Sequence, residues 1–316
     1  VIADDHPLAL GVVGANGGVP ETREVVDSAD LVLFVGCRAG SITTERWRHP
    51  VPGNIEVVHI DADESVIGVN YPTAAALVGD ARLALDALVR ELGTQVPARD
   101  GWGRVAVARA KESKRAAFRA LARSNETPIR PERLVAELQA VLPEDAVVVA
   151  DPGTPCPYLS AYYELRRAGR HLISNRAHGA LGFALPGSIG AHYGRPGAKC
   201  VAVVGDGSFG MAAGELETMV RLELPITVVV VSNGTFGWIK AGQKTGFGAR
   251  YFSVDFGRSD HAGIARAFGL EAWRVERPDE LRPALAAAVA RDGPTLVDVI
   301  TQPLHEARAP VSEWVA

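Results

Sequence analysis

A chain of 316 residues with 47% hydrophobic and 22% charged side chains can bury the cores of roughly two domains. A formal net charge of -4, with Lys and Arg scattered, speaks against a nucleic-acid or polyanion partner. No apolar run approaches the roughly 20 residues of a membrane span, no signal-peptide layout is visible, and Cys37, Cys156 and Cys200 show no metal or disulfide spacing, so a soluble cytoplasmic protein is expected.

The opening VIADDHPLALG reads as the middle of a connection, so a further upstream segment is expected. Short apolar runs follow at DLVLFVG (30–36), IEVVHID (55–61) and AAALVGD (74–80), then the helix ARLALDALVREL (81–92). Continuous apolar strands separated by helices predict a parallel sheet covered on both faces. Doubly wound domains carry five or six strands, so residues 1–92 read as half of a Rossmann-like domain. GVVGANGG (11–18) is the nearest approach to a GxGxxG loop, but its spacing and the lack of a preceding strand count against dinucleotide binding. Residues 93–126 mix a Pro/Gly stretch with a basic, Ala-rich helix and read as a solvated linker.

From residue 127 to 316 the alternation resumes. Strands are predicted at 146–151, 171–175, 199–206, 225–233, 270–276 and 295–300, with helices at 131–142, 156–169, 185–194, 212–223, 259–269 and 279–293. Six strands with intervening helices make a complete α/β doubly wound parallel sheet.

After the apolar strand CVAVV comes Gly205-Asp206-Gly207-Ser208, with a helix predicted from near Met211. Ligands of open parallel sheets bind beyond the strand C-termini, where two glycines let the backbone approach an anion. A carboxylate facing a phosphate is repelled unless a cation lies between them, and a hard divalent ion such as Mg²⁺ resolves the conflict. The next strand ends in Asn233-Gly234-Thr235, which supplies a second oxygen ligand.

GDG followed about 27 positions later by Asn resembles the signature of thiamine diphosphate enzymes of the acetolactate synthase type. That family usually reads Asn-Asn where this chain has Ser232-Asn233, and only the second residue binds metal there. The resemblance implies Mg²⁺ held by Asp206, Asn233 and the Thr235 carbonyl, with Gly205, Gly207 and Ser208 beside the diphosphate. Gly153 and Thr154 match a further diphosphate-contacting turn, although Thr154-Pro155 replaces the Gln-His common in the family. The segment 174–186 (SNRAHGALGFALP) resembles the loop that props the bent cofactor, so Leu181 is the implied prop and the Gly179 carbonyl the implied acceptor for the 4'-amino group. His178 is a candidate for proton transfer, with a buried structural histidine as the alternative. Phe236 and Trp238 either line the channel or pack.

The first segment resembles the second half of the family's central domain. FAD, bound by some members, is not favoured, because Arg38-Ala39-Gly40-Ser41 stands where FAD-binding members carry Arg-Phe-Asp-Asp. The implied reaction joins a 2-oxo acid such as pyruvate, with loss of CO₂, to an acceptor, and simple decarboxylation is the alternative. A non-catalytic assembly subunit, of the same fold or nucleotide-binding, is the reading from another class. The resemblance also implies a homo- or hetero-oligomer and a pyrimidine-binding domain from another chain or a missing N-terminal part.

Overall fold

The computed structural model describes residues 2–95, 101–176, 178–307 and 309–311. Residues 96–100 of the expected linker, Ala177 of the prop loop and 312–316 of the last expected domain lie outside the described residues. Two compact units are formed, one of Leu10–Lys114 and one of Val1–Ala9 with Arg115–Ala316. The division falls inside a helix of the expected linker.

The first unit contains α1 (Pro20–Asp27), β1 (Leu31–Val35), β2 (Glu56–Asp61), β3 (Ala75–Val78), α2 (Ala81–Gln95) and the first part of α3 (Trp102–Ala122). Helix α1 was not predicted. Pro20 opens it where a missing N–H costs nothing, and the Thr22 hydroxyl accepts from the Val19 amide at 3.3 Å. The strands form a parallel sheet in the order β1-β2-β3, with Leu31 opposite Glu56 and Val58 opposite Ala75.

The sheet of this unit is covered unevenly. Val57, His59 and Ile60 of β2 are buried, but β3 is exposed along its length and α2 leaves Leu83 and Val89 open. Covering a parallel sheet takes helices on both sides, and the described part of this unit supplies too few to reach β3.

The glycines of GVVGANGG serve backbone packing. A Cβ on Gly14 would lie 2.2 Å from the Ile42 carbonyl oxygen, and one on Gly18 would lie 2.0 Å from that of Val13. The Ala15 amide donates to the same Ile42 oxygen at 2.8 Å. A nucleotide-binding turn needs free space and open N–H groups, and here neighbouring backbone fills that space.

Part of the expected connector is packed. Val107 and Ala110 of α3 are buried, and in the second unit its Phe118 ring stacks on Tyr162 at 4.6 Å while Arg115 pairs with Glu164 at 2.8 Å.

The second unit continues with α4 (Pro131–Val141), β4 (Val147–Ala150), α5 (Pro155–Tyr162), β5 (Leu172–Ser174), α6 (Ala184–Gly194), β6 (Cys200–Gly205), α7 (Asp206–Ala212), α8 (Glu215–Arg221), β7 (Ile226–Ser232), α9 (Gly237–Gly246), α10 (His261–Ala267), β8 (Glu271–Val275), α11 (Pro278–Val289) and β9 (Thr295–Ile300). All six strands are parallel, in the order β5-β4-β6-β7-β9-β8.

Strand side chains alternate between two cores. Val148, Val203, Val229 and Val297 pack with Leu138 of α4, Leu159 of α5 and Leu285 of α11. Val147, Ala202, Val228 and Leu296 pack with Leu185 of α6, Phe209 of α7 and Met219 of α8. Both faces are therefore apolar, which is why each strand reads as an unbroken run. Each fully buried Val or Leu stabilises the unit by about 1.5–3 kcal/mol.

Two helical expectations shift. The helix predicted over 156–169 ends at Tyr162, because the Gln139 side chain takes the Glu164 amide at 2.8 Å and Asp4 takes that of Leu165 at 2.6 Å. The helix predicted from near Met211 begins at Asp206 itself and breaks between α7 and α8. Helix α9 was not predicted. Cys37, Cys156 and Cys200 form no disulfide with one another, and among the described residues no helix is long and apolar enough to cross a membrane.

Candidate functional site

The order in which strands are added reverses between β4 and β6: β5 lies on one side of β4, and all later strands lie on the other, from β6 outward. The C-terminal ends of two strands that diverge in this way leave a crevice, the position where open α/β sheets bind ligands. A cavity of about 320 Å³ lies there. Its floor is Gly153 and Thr154 after β4 and Gly205 to Ser208 at the junction of β6 and α7, and its walls include Arg176, Gly179, Leu181, Thr235, Phe236 and Trp238. Of the residues singled out from the sequence for the cofactor, all line this cavity except Asn233, whose side-chain nitrogen stands 3.5 Å from the Thr154 hydroxyl.

Asp206 is held with three donors. Its Oδ2 accepts from the amides of Asn233 at 2.7 Å and Gly234 at 2.6 Å, and its Oδ1 accepts from the Gly207 amide at 2.9 Å. Burial pushes its pKa up against the opposing pull of these amides. Each carboxylate oxygen has two lone-pair sites. Oδ2 is therefore filled, and Oδ1 keeps one direction free. Asn233 Oδ1 accepts from the Thr235 amide at 3.2 Å and keeps a second lone pair, while the Thr235 hydroxyl is committed to the Val254 carbonyl at 2.9 Å.

This set suits a hard cation that takes part of its shell from its ligand. Among the described residues no three His, Cys, Asp or Glu side chains gather to hold a metal alone. Asp206 Oδ1 and Asn233 Oδ1, each with a lone pair left, would supply part of the shell of such a cation.

The loop carrying Asn233 is clamped from two sides that sequence reasoning missed. On one side the Phe236 amide donates to the Val254 carbonyl at 2.9 Å and the Phe256 amide to the Gly234 carbonyl at 3.0 Å, with the rings of Phe236 and Phe256 edge-on at 5.0 Å. Phe236 also lies so close to α7 that a Cβ on Gly207 would be 2.6 Å from its ring, so the second glycine of the GDG motif is needed for this approach. On the other side Ser232, His261 and Asp298 form a buried cluster. The Ser232 hydroxyl donates to Asp298 and stands 3.0 Å from His261 Nδ1, and Arg274 lies 3.6 Å from the second Asp298 oxygen. Ser232, the departure from Asn-Asn, is thus a structural member of this cluster.

Asp151, directly after β4, is fully buried, and its Oδ1 accepts from the Ala184 amide at 3.0 Å. Burial raises its pKa, opposed by the amides of Ala184, Phe183 and Gly182. It thereby ties the loop bearing Leu181 to the sheet. The sequence signal was a carboxylate ending a buried strand. Leu181 is 36% exposed on the cavity wall, so it is not an ordinary core leucine. His178 is exposed and is not among the lining residues. Arg176, quoted in the loop but given no role, does line the cavity. Trp238 also lines it, and Arg176 lies over its ring at 5.3 Å.

Comparison with known proteins places this arrangement. Residues 151–299 match the C-terminal, cofactor-binding domain of thiamine pyrophosphate enzymes, and residues 1–88 match the central domain of the same enzymes. The chain belongs to the thiamine pyrophosphate enzyme family. It is 29% identical to a probable acetolactate synthase large subunit of Methanococcus aeolicus, over 96% of this chain and 52% of that one. It is 33% identical to a probable 2-ketoarginine decarboxylase of Pseudomonas aeruginosa (95% and 51% covered) and 28% identical to a sulfoacetaldehyde acetyltransferase of Castellaniella defragrans (90% and 50%). The chain spans about half the length of these curated relatives.

Proposed function

We propose that this chain anchors thiamine diphosphate through Mg²⁺ in an enzyme that acts on a 2-oxo acid such as pyruvate and transfers the decarboxylated fragment to an acceptor, as an acetolactate synthase does. The observation that carries the reading is Asp206, pinned by three amides with one oxygen direction free, at the switch point of the sheet and beside Asn233. Asp206, Asn233 and the Thr235 carbonyl would hold the cation, and Gly153 and Thr154 would flank the diphosphate. Leu181 would support the bend of the cofactor from the cavity wall. When bound, thiamine diphosphate supplies a carbon nucleophile for the 2-oxo group and accepts the electrons released with CO₂.

The chain's own groups act on position and solvent. The clamp of 254–256 and the Ser232–His261–Asp298 cluster fix the cation-binding loop, and the walls of Leu181, Phe236 and Trp238 keep water from the reacting centre. A pyrimidine-binding domain, from another chain or an upstream segment, would complete the site in a homo- or hetero-oligomer. Simple decarboxylation is the second reading, supported by the 33% identity to a probable decarboxylase.

The test is calorimetric and chemical. The complete polypeptide should bind thiamine diphosphate with Mg²⁺, and Asp206→Asn should weaken that binding at least about 100-fold, beyond the 10–100-fold typical of groups behind the ligands. With pyruvate, acetolactate as product supports the first reading and acetaldehyde the second. Failure of the wild type to bind the cofactor would reject both.

A further inference from the structure

Arg176 and Asp206 are the charged side chains among the described residues lining the cavity, and the cofactor reading uses only Asp206. Arg176 follows β5, with Trp238, from the first turn of α9, beneath its guanidinium. One Nη donates to the Pro152 carbonyl at 2.9 Å, whereas its Nε is buried with no acceptor. The indole nitrogen of Trp238 is likewise buried without one. Asp206 cannot serve as counter-ion while its oxygens are taken up by amides and a cation. The structure therefore stacks a cation on an aromatic ring, leaves two N–H donors in that stack without acceptors, and pairs the guanidinium with no carboxylate among the described residues. Nε and the indole nitrogen are shut off from the cavity, so the donor that this lining residue offers to an oxyanion is the second Nη, which is neither hydrogen-bonded nor buried.

We propose that Arg176, steadied by Trp238, anchors the carboxylate of the substrate, so that the site selects 2-oxo acids over neutral carbonyl compounds. This rests on the reading of the cavity as a thiamine diphosphate site. A planar guanidinium matches a carboxylate through two parallel hydrogen bonds, and an aromatic platform holds its plane fixed. The apolar side chains of Leu181, Phe236 and Ile239, which also line the cavity, strengthen the attraction by lowering the local polarity. The diphosphate has its own partners in Asp206 and Asn233 through the cation, which leaves Arg176 for a second anion.

The experiment uses the complete polypeptide as wild type, Arg176→Gln and Arg176→Lys. Calorimetry gives the affinity for thiamine diphosphate with Mg²⁺, and calorimetry and initial rates give the response to pyruvate and 2-oxobutyrate. Arg176→Gln should load the cofactor within about threefold of wild type and raise the KM for both 2-oxo acids about tenfold or more, with kcat nearly unchanged, as expected when binding shared by ground and transition states is lost. Arg176→Lys, which keeps the charge and a donor for Pro152, should recover part of that loss. Cofactor affinity falling in step with KM would assign Arg176 to the diphosphate and overturn the proposal. An unchanged KM in Arg176→Gln would overturn it as well, as would a wild type that loads the cofactor yet neither binds nor converts either 2-oxo acid. A wild type that loads no cofactor would overturn the site reading together with this one.

Discussion

The two parallel sheets of this chain are written in the same apolar runs, yet they differ in what covers them. Strands β7 and β9 are buried at every residue, whereas β3 is exposed at every residue and β1 is only partly covered. The six-stranded sheet has helices on both faces and carries the cavity at its C-terminal edge. The three-stranded sheet has a small core around Ala39, Val57 and Tyr71. The difference teaches that an apolar run announces a strand but not its cover, and that a cavity whose donors must sit within a few tenths of an ångström is built on the sheet that packing makes rigid.

The sharpest way to break that comparison is to place the same charge in both sheets. Val229→Asp, in the middle of β7 at 0% exposure, buries an unpaired carboxylate and should leave little folded protein, while Val78→Asp, on β3 at 59% exposure, should stay within about 0.5 kcal/mol of wild type. Circular dichroism melts of the two variants decide it, and equal tolerance would mean that the sheets are covered alike.

Next in size, Gly14→Ala drives a methyl into the Ile42 carbonyl and should cost about 1–3 kcal/mol or more, confined to the first unit. Hydrogen exchange should speed up across residues 10–114 and leave the six-stranded sheet protected. Loss of protection in both would show that the units do not unfold separately.

Ser232→Ala tests the second unit in the same way. It leaves Asp298 and His261 with fewer partners and should cost about 1–3 kcal/mol in urea denaturation. No change would mean that the cluster does not tension the Asn233 loop.

The smallest effect concerns pH. Glu132 of α4 is fully buried, neither carboxylate oxygen has a hydrogen-bond partner, and burial raises its pKa. The native state therefore keeps this proton to higher pH than the unfolded chain does. Its contribution to stability is present at low pH and is lost as pH rises from the ordinary glutamate range through the raised value. Glu132→Gln should flatten that decline, read from urea denaturation at several pH values, and an unaltered slope would show that Glu132 does not titrate apart from the unfolded chain.

Much of this was legible before any coordinates. The period of the runs announced nine strands, and GDG with a distant Asn marked the edge of the sheet that holds the cavity, because strand-end chemistry is local and its spacing is set by one helix and one strand. Helix α9 was hidden, since Gly237, Lys240 and Gly242 blur its periodicity. The early end of α5 was invisible because it depends on Gln139 and Asp4, and Asp4 is far away in sequence. Arg176 stood in the open in the quoted loop, but its use depends on Trp238, contributed by a different strand-to-helix connection.

Residue types and short spacings thus settled which segments are strands, which carboxylate faces an anion and which family the chain resembles, for these follow from local backbone rules. Which strands are covered, which side chains share the cavity, and which donors lack acceptors were settled by packing alone. Those properties depend on groups brought together from distant parts of the chain, and no local pattern records their distances.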